Sequence, residues 1–180
     1  MPDLQLQSKL SALLRDIPDF PRPGILFKDI TPLLASPSAV EEVTREIVLH
    51  YSKQNIEAVA AVEARGFIFG AMIAQGLNVP FIPVRKAGKL PFHKITEEYS
   101  LEYGKAAIEI HSDAIAKGSR VLIHDDVLAT GGTATAAGNL VTKLGGVVAG
   151  YSFIINLSFL PGEGVLKNNF HISPHYLVSF

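Results

Sequence analysis

Cysteine is missing from this chain of 180 residues. Its absence excludes disulfides and thiolate metal sites and is compatible with a reducing compartment. A surplus of either charge is missing as well. Sixteen Lys and Arg stand against seventeen Asp and Glu, a formal net charge of −1, so electrostatics give no case for a nucleic-acid or membrane partner. No apolar run is long enough to span a bilayer. The opening residues Met1-Pro2-Asp3-Leu4-Gln5 lack the basic-then-apolar layout of a signal peptide, and the cytoplasm is the expected compartment. Neither Gly-x-x-x-x-Gly-Lys nor Gly-x-Gly-x-x-Gly occurs, which disfavours an ordinary nucleotide kinase and a dinucleotide enzyme. What is present is an ordinary globular composition, 48% hydrophobic and 18% charged, in a length that suits one domain with a buried core.

The most informative stretch begins at Val121-Leu122-Ile123-His124, a short apolar run that reads as a buried strand. It breaks into Asp125-Asp126 and then Thr130-Gly131-Gly132-Thr133 before the helix-forming run Ala134 to Leu144. A loop entering a helix N-terminus offers N–H groups and the positive end of a dipole to an anion. The glycines permit close backbone approach and the two threonine hydroxyls add donors, a combination suited to a phosphate monoester. Carboxylates would repel that phosphate, so Asp125 and Asp126 make better sense as acceptors for neutral hydroxyls such as a ribose diol. Together these features suggest a phosphosugar, although paired acids before a Gly-Gly turn also occur in ordinary loops.

A second strand-turn-helix unit precedes it. Ala58 to Val62 reads as a strand, Glu63-Ala64-Arg65-Gly66-Phe67 as a charged turn, and the run to Leu77 as a helix. Arg65 and the turn N–H groups suit a second anion, against the plainer reading of a surface Glu63–Arg65 pair. A third strand, Val79 to Val84, leads into Arg85-Lys86-Ala87-Gly88-Lys89-Leu90-Pro91-Phe92-His93-Lys94. That cationic segment reads either as a solvated loop or as a mobile lid over a polyanion. Ala106 to His111 and Val147 to Leu157 read as further strands. Strands alternating with helices argue an α/β fold with a mostly parallel central sheet flanked by helices.

The remaining segments carry weaker signals. Leucines at helical spacing over the first ~17 residues suggest an amphipathic helix ended by Pro18. A second helix is expected from Ser36-Pro37-Ser38, with Glu41 placed for a capping box with Ser38. In Asp19 to Ile30, Phe20 and Phe27 either plug the core or wall a flat aromatic ligand. The tail from Pro161 onward reads as loop-rich. His171 and His175 are four apart, but Pro174 lies between them and no third ligand is evident, so metal binding is not expected there.

Several of these segments resemble the type I phosphoribosyltransferases. Asp-Asp-Val-Leu-Ala-Thr-Gly-Gly-Thr at 125–133 is similar to the family's phosphoribosyl pyrophosphate signature. Pro-Gly-Ile-Leu-Phe-Lys-Asp at 23–29, Glu-Ala-Arg-Gly-Phe at 63–67 and Ser-Leu-Glu-Tyr-Gly at 100–104 resemble its adenine-specific members. His124 departs from the family, which has an aliphatic residue there; Ala87 stands where proline is frequent and Lys28 where arginine is. The resemblance implies the family's fold, with an N-terminal hood from residues 1–35 and a lid at about 85–103 on a single domain. It implies Mg2+-dependent transfer of phosphoribose from phosphoribosyl pyrophosphate to adenine, giving AMP and pyrophosphate in purine salvage, by a homodimer.

The expected site residues follow from the same resemblance. Asp125, Asp126, Ala129, Thr130, Gly131, Gly132 and Thr133 would hold phosphoribosyl pyrophosphate and AMP. Glu63, Ala64, Arg65, Gly66, Arg85, Lys86 and Lys89 would surround the pyrophosphate. Leu26, Phe27, Lys28 and Val127 would line the base pocket. Glu102 would manage the purine proton, with Tyr103 closing the site and Arg65, Lys86 and Lys89 stabilising the leaving group. The metal would be carried mainly by substrate near Asp125 and Asp126. A transferase for another base and a non-catalytic phosphosugar sensor are the alternatives; the sensor would need an added DNA-binding domain and basic surface.

Overall fold

The computed structural model describes residues 4–100 and 105–180. Its first helix, α1 (Leu4–Leu13), stops earlier than expected, and Arg15–Pro18 forms strand β1 instead. The helical leucine spacing ran across two elements: Leu6 and Leu10 are buried from α1, whereas Ile17 lies opposite Phe27 in an antiparallel ribbon between β1 and β2 (Leu26–Asp29). A short α2 (Thr31–Leu34) then leads to α3 (Pro37–Tyr51). Ser36 is the residue before α3 and Pro37 opens it, but no side chain caps the helix, so the expected Ser38–Glu41 box is not formed. Proline at the first helical position lacks only an N–H that has no intrahelical partner there.

The remaining elements are β3 (Ala58–Val62), α4 (Arg65–Leu77), β4 (Phe81–Lys86), β5 (Lys94–Ser100), β6 (Lys105–His111), β7 (Arg120–His124), β8 (Val127–Leu128), α5 (Gly132–Lys143), β9 (Val147–Asn156), α6 (Gly162–Phe170) and β10 (His175–Ser179). The strand order is β10-β9-β7-β3-β4-β6-β5, with β8 paired to β9. The five strands from β10 to β4 are parallel, and β6 and β5 complete the sheet antiparallel. The expected α/β architecture is therefore present. The tail differs from expectation, because α6 and β10 occupy it. His171 sits in a left-handed conformation just after α6, while the His175 ring on β10 stacks on His50 at 3.8 Å, so the two do not form a helical pair.

Both faces of the central strands are covered, as a parallel sheet requires. All five residues of β3 are buried. Ala58, Ala60 and Val62 pack with Leu140 and Val141 of α5, while Val59 packs with Val43, Ile47, Phe69 and Ile73 of α3 and α4. Each fully buried Val, Ile or Phe of this kind contributes about 1.5–3 kcal/mol. The consequence for function is positional. The C-terminal ends of β3, β7 and β9 lie side by side, and the chain leaves each through a short turn, where ligands bind in open α/β sheets.

Candidate active site

The turn after β3 is tied to the end of β4 by one carboxylate. Glu63 accepts bonds from Arg85 Nε at 3.1 Å, Arg85 Nη2 at 3.2 Å and the Lys86 backbone N–H at 3.1 Å. The Arg85 hydrogen bond foremost holds the Glu63 carboxyl below its usual range. Arg85 also donates to the Lys89 carbonyl at 2.9 Å, so its guanidinium is committed within the protein. The Glu63–Ala64 peptide is cis. Gly66, in the first turn of α4, approaches the neighbouring loop closely. A Cβ there would lie 3.0 Å from Asp125 Oδ1 and 3.1 Å from both the Asp125 Cα and the His124 carbonyl oxygen.

The loop after β7 carries the two acids. Asp126 is 3% exposed, its N–H donates to Asp125 Oδ1 at 2.9 Å, and its Oδ2 lies 2.9 Å from Arg65 Nε. Burial, reinforced by the charge of Asp126, raises the Asp125 carboxyl well above its ordinary value. Burial also raises Asp126, with Arg65 pulling in the opposite direction. Arg65 is thus the cation that makes adjacent carboxylates tolerable in a poorly solvated site. Beyond β8, Gly131 has φ of +82° and a Cβ there would meet the Gly162 backbone at 3.1 Å, so this turn requires glycine on both counts. α5 begins at Gly132, and its first-turn N–H groups face the loop without intrahelical partners.

A cleft of about 480 Å³ runs between these turns and β2. Leu26, Phe27, Lys28, Arg65, Asp125, Asp126, Val127, Ala129 and Thr130 all line it, bringing together expected site residues from three distant stretches. The Phe27 and Phe20 rings meet in a T-shaped pair, with centroids 5.1 Å apart, and the Arg65 guanidinium lies over the Phe27 ring, Cζ 4.7 Å from its centroid. The Lys28 ammonium is engaged elsewhere, 2.6 Å from Asp16 Oδ1 and 3.8 Å from the centre of the Phe180 ring, while the Lys28 carbonyl accepts from Arg65 Nη1 at 3.3 Å. Glu63, Ala64, Gly66, Arg85, Lys86 and Lys89 lie outside the cleft lining, as do Gly131, Gly132 and Thr133 of the turn that follows Thr130. Glu102 and Tyr103 fall outside the described residues.

Sequence reasoning missed one part of the lining. Leu157, Phe159 and Leu160, between β9 and α6, complete the cleft, and Phe159 is 70% exposed. The available signal was an apolar pair continuing past a strand end into Pro161-Gly162, a pattern that resembles ordinary core until the sheet order is known. The cationic segment after β4 is anchored by a residue that also went unnoticed. Buried Glu109 accepts the Gly88 N–H at 2.9 Å and lies 3.2 Å from Lys94 Nζ, and the Gly88 bond above all keeps its carboxyl below the usual range. His124 is fully buried in the β7 ladder between Ala61 and Ser152. No group of three or more His, Cys, Asp or Glu suited to a metal occurs among the described residues. The hard-oxygen donors at the cleft are Asp125 and Asp126, a set that fits a Mg2+ ion whose remaining ligands come from substrate and water.

Comparison with known proteins agrees with this geometry. The phosphoribosyl transferase domain pattern matches residues 28–156, a span that runs from the second half of β2 through the β3–α4 turn and the loop after β7. A protein of Myxococcus xanthus named adenine phosphoribosyltransferase is 52% identical over 164 residues, covering 91% of this chain and 89% of the relative. The crystal structure of the adenine phosphoribosyltransferase of Rhodothermus marinus superposes with a TM-score of 0.93 at 45% identity, over 99% of this chain and 100% of that one. The Saccharomyces cerevisiae enzyme, crystallised with an imino-altritol bisphosphate and adenine, superposes with a TM-score of 0.89 at 37% identity, over 97% and 99% of the two chains. With a domain pattern over most of its length, relatives at about 50% identity and a fold that superposes on theirs throughout, the chain belongs to the phosphoribosyltransferase family, among the adenine phosphoribosyltransferases.

Proposed function

We propose that the protein transfers the 5-phosphoribosyl group of phosphoribosyl pyrophosphate to N9 of adenine, releasing AMP and pyrophosphate, as a step of purine salvage. One observation carries the proposal: a single cleft joins an aromatic wall and a buried acid pair and reaches, at Ala129 and Thr130, the start of the glycine turn that opens α5. Those parts match a base, a ribose diol and a phosphate in the order in which a nucleotide presents them. The yeast relative's complex with adenine supports the choice of base.

Thr130 to Thr133 would hold the 5′-phosphate with turn N–H groups and hydroxyls. Asp125 and Asp126 would accept from the ribose hydroxyls. The β3–α4 turn with Arg65, Lys86 and Lys89 would receive the pyrophosphate, while Glu63 and Arg85 hold the shape of that turn. Phe27 and Leu26 on one side and Phe159 on the other would sandwich the purine. The C1′–oxygen bond to pyrophosphate breaks as N9 attacks the opposite face of the sugar, and the N9 proton leaves. Glu102 is assigned to that proton, with Tyr103 beside it, by family resemblance alone. Mg2+, bound by substrate oxygens near Asp125 and Asp126, would neutralise charge on the leaving group. Catalysis is then chiefly positioning and electrostatic stabilisation.

A cytoplasmic homodimer fits the same reading, with exposed Ile68 at the start of α4 offering apolar surface beside the pyrophosphate turn. No helix of the described residues is long and apolar enough to cross a membrane. The direct test is AMP formation from labelled adenine with and without Mg2+, together with a panel of purine bases. Adenine-selective, metal-dependent AMP formation is expected. Equal use of hypoxanthine would move the assignment to another base, and phosphosugar binding without product would favour the sensor.

A further inference from the structure

Three contacts converge on Arg65, one on a group that the proposed reaction assigns to the ribose and two on groups at the base pocket. Nε lies 2.9 Å from Asp126 Oδ2, the acceptor for the ribose diol. Nη1 donates to the Lys28 carbonyl at 3.3 Å, on the edge of the base pocket. The guanidinium carbon sits 4.7 Å from the centroid of Phe27, the aromatic wall. A guanidinium is flat and cationic, stacks on rings and offers several donors in one plane. One side chain therefore meets the needs that a purine nucleoside would otherwise meet, and a purine cannot lie on the face of Phe27 that the guanidinium covers.

Asp126 holds Arg65 there. Its carboxylate is almost wholly buried, and leaving such a group without its counter-cation is costly. Only a stronger anion within reach of Arg65 offers that side chain a better partner. The β3–α4 turn, from which Arg65 projects, is where the pyrophosphate is placed under the proposed function. We infer that Arg65 is an internal plug of the adenine site, which a pyrophosphate group draws away, so that pyrophosphate and adenine each strengthen the binding of the other. This inference rests on the assignment of the β3–α4 turn to pyrophosphate.

The test is calorimetric titration of the whole protein with adenine, with Mg2+ throughout, in the absence and presence of saturating inorganic pyrophosphate. Pyrophosphate is expected to tighten adenine binding by about tenfold, within the span usual for coupled sites, and adenine to tighten pyrophosphate equally. Asp126→Asn removes the charge that holds the plug while keeping the size and shape of a side chain that lines the cleft. It should raise the adenine affinity of the ligand-free protein and shrink the pyrophosphate effect, although the same change weakens phosphosugar use. Arg65→Gln should bind adenine without help, and pyrophosphate should no longer alter that affinity. Unchanged adenine affinity when pyrophosphate demonstrably binds overturns the plug, as does unchanged affinity in Asp126→Asn folded to the wild-type melting temperature. Absence of any heat from pyrophosphate itself overturns the assignment of the turn instead, and the Asp126→Asn arm then still decides whether Arg65 obstructs the base.

Discussion

Replacement of His124 by leucine should change how stability responds to acid, by an amount that the structure sets. The imidazole is fully buried, with Cδ2 3.7 Å from where a Gly70 Cβ would be, and burial outweighs a smaller opposing interaction with the Ser152 backbone. Burial pushes its pKa from 6.5 down to about 3. The unfolded chain therefore takes up a proton below pH 6.5 that the native protein refuses until about pH 3. Above pH 6.5 the group carries no penalty; below it, native stability falls, at about 1.4 kcal/mol per pH unit across that window. Between neutrality and about pH 5 the loss is roughly 2 kcal/mol. Raised carboxyls at Asp125 and Asp126 act in the opposite sense, and His175, lowered to about 4 by burial, acts in the same sense, so the wild-type curve alone mixes several groups. His124→Leu isolates one of them. Urea unfolding of both proteins at about pH 7.5 and about pH 5 should show the difference in unfolding free energy shifting by roughly 2 kcal/mol in favour of the variant on acidification, or about 4–8 °C in melting temperature for a domain of this size. An identical difference at the two pH values would refute the reasoning.

Other changes probe the cleft itself. Gly66→Ala places a methyl 3.0–3.1 Å from the Asp125 carboxylate and from two backbone atoms, so we expect a loss of about 1–3 kcal/mol in denaturant unfolding and a raised KM for phosphoribosyl pyrophosphate; wild-type values for both would show the contact to be slack. Thr133→Ala, at the start of α5, should cut phosphosugar use at least tenfold with the melting temperature held within the small range usual for substitutions away from the core; unchanged kinetics would remove the hydroxyl from the phosphate site. Phe159→Ala touches an exposed ring, so stability should move by no more than about 0.5 kcal/mol. Its KM for adenine should nevertheless rise about tenfold, reflecting lost stacking area, and an equal rise in the phosphosugar KM would mean that the β9–α6 connection positions the whole site and not the base.

The local units of this protein were determined by its sequence. The apolar run ending at His124, the Asp125-Asp126 pair and the glycine turn before α5 were readable because a strand, a turn and a helix start are each specified by residues next to one another. The same holds for β3, the turn at Glu63 to Gly66, and α4. Tertiary structure decided everything that depends on distant segments meeting. The ladder with β2 converts Arg15–Pro18 from the expected end of a helix into a strand. Lys28 reads as a base-pocket cation until Asp16 engages it. Phe159 becomes a pocket wall only because β9 lies next to β7 in the sheet. Arg65, at the turn assigned to the pyrophosphate, reaches Asp126 and Phe27, contacts that its own stretch of sequence does not announce. A charged side chain with several flexible bonds takes the partner that the folded sheet brings within reach, and its neighbours in the chain do not specify that partner.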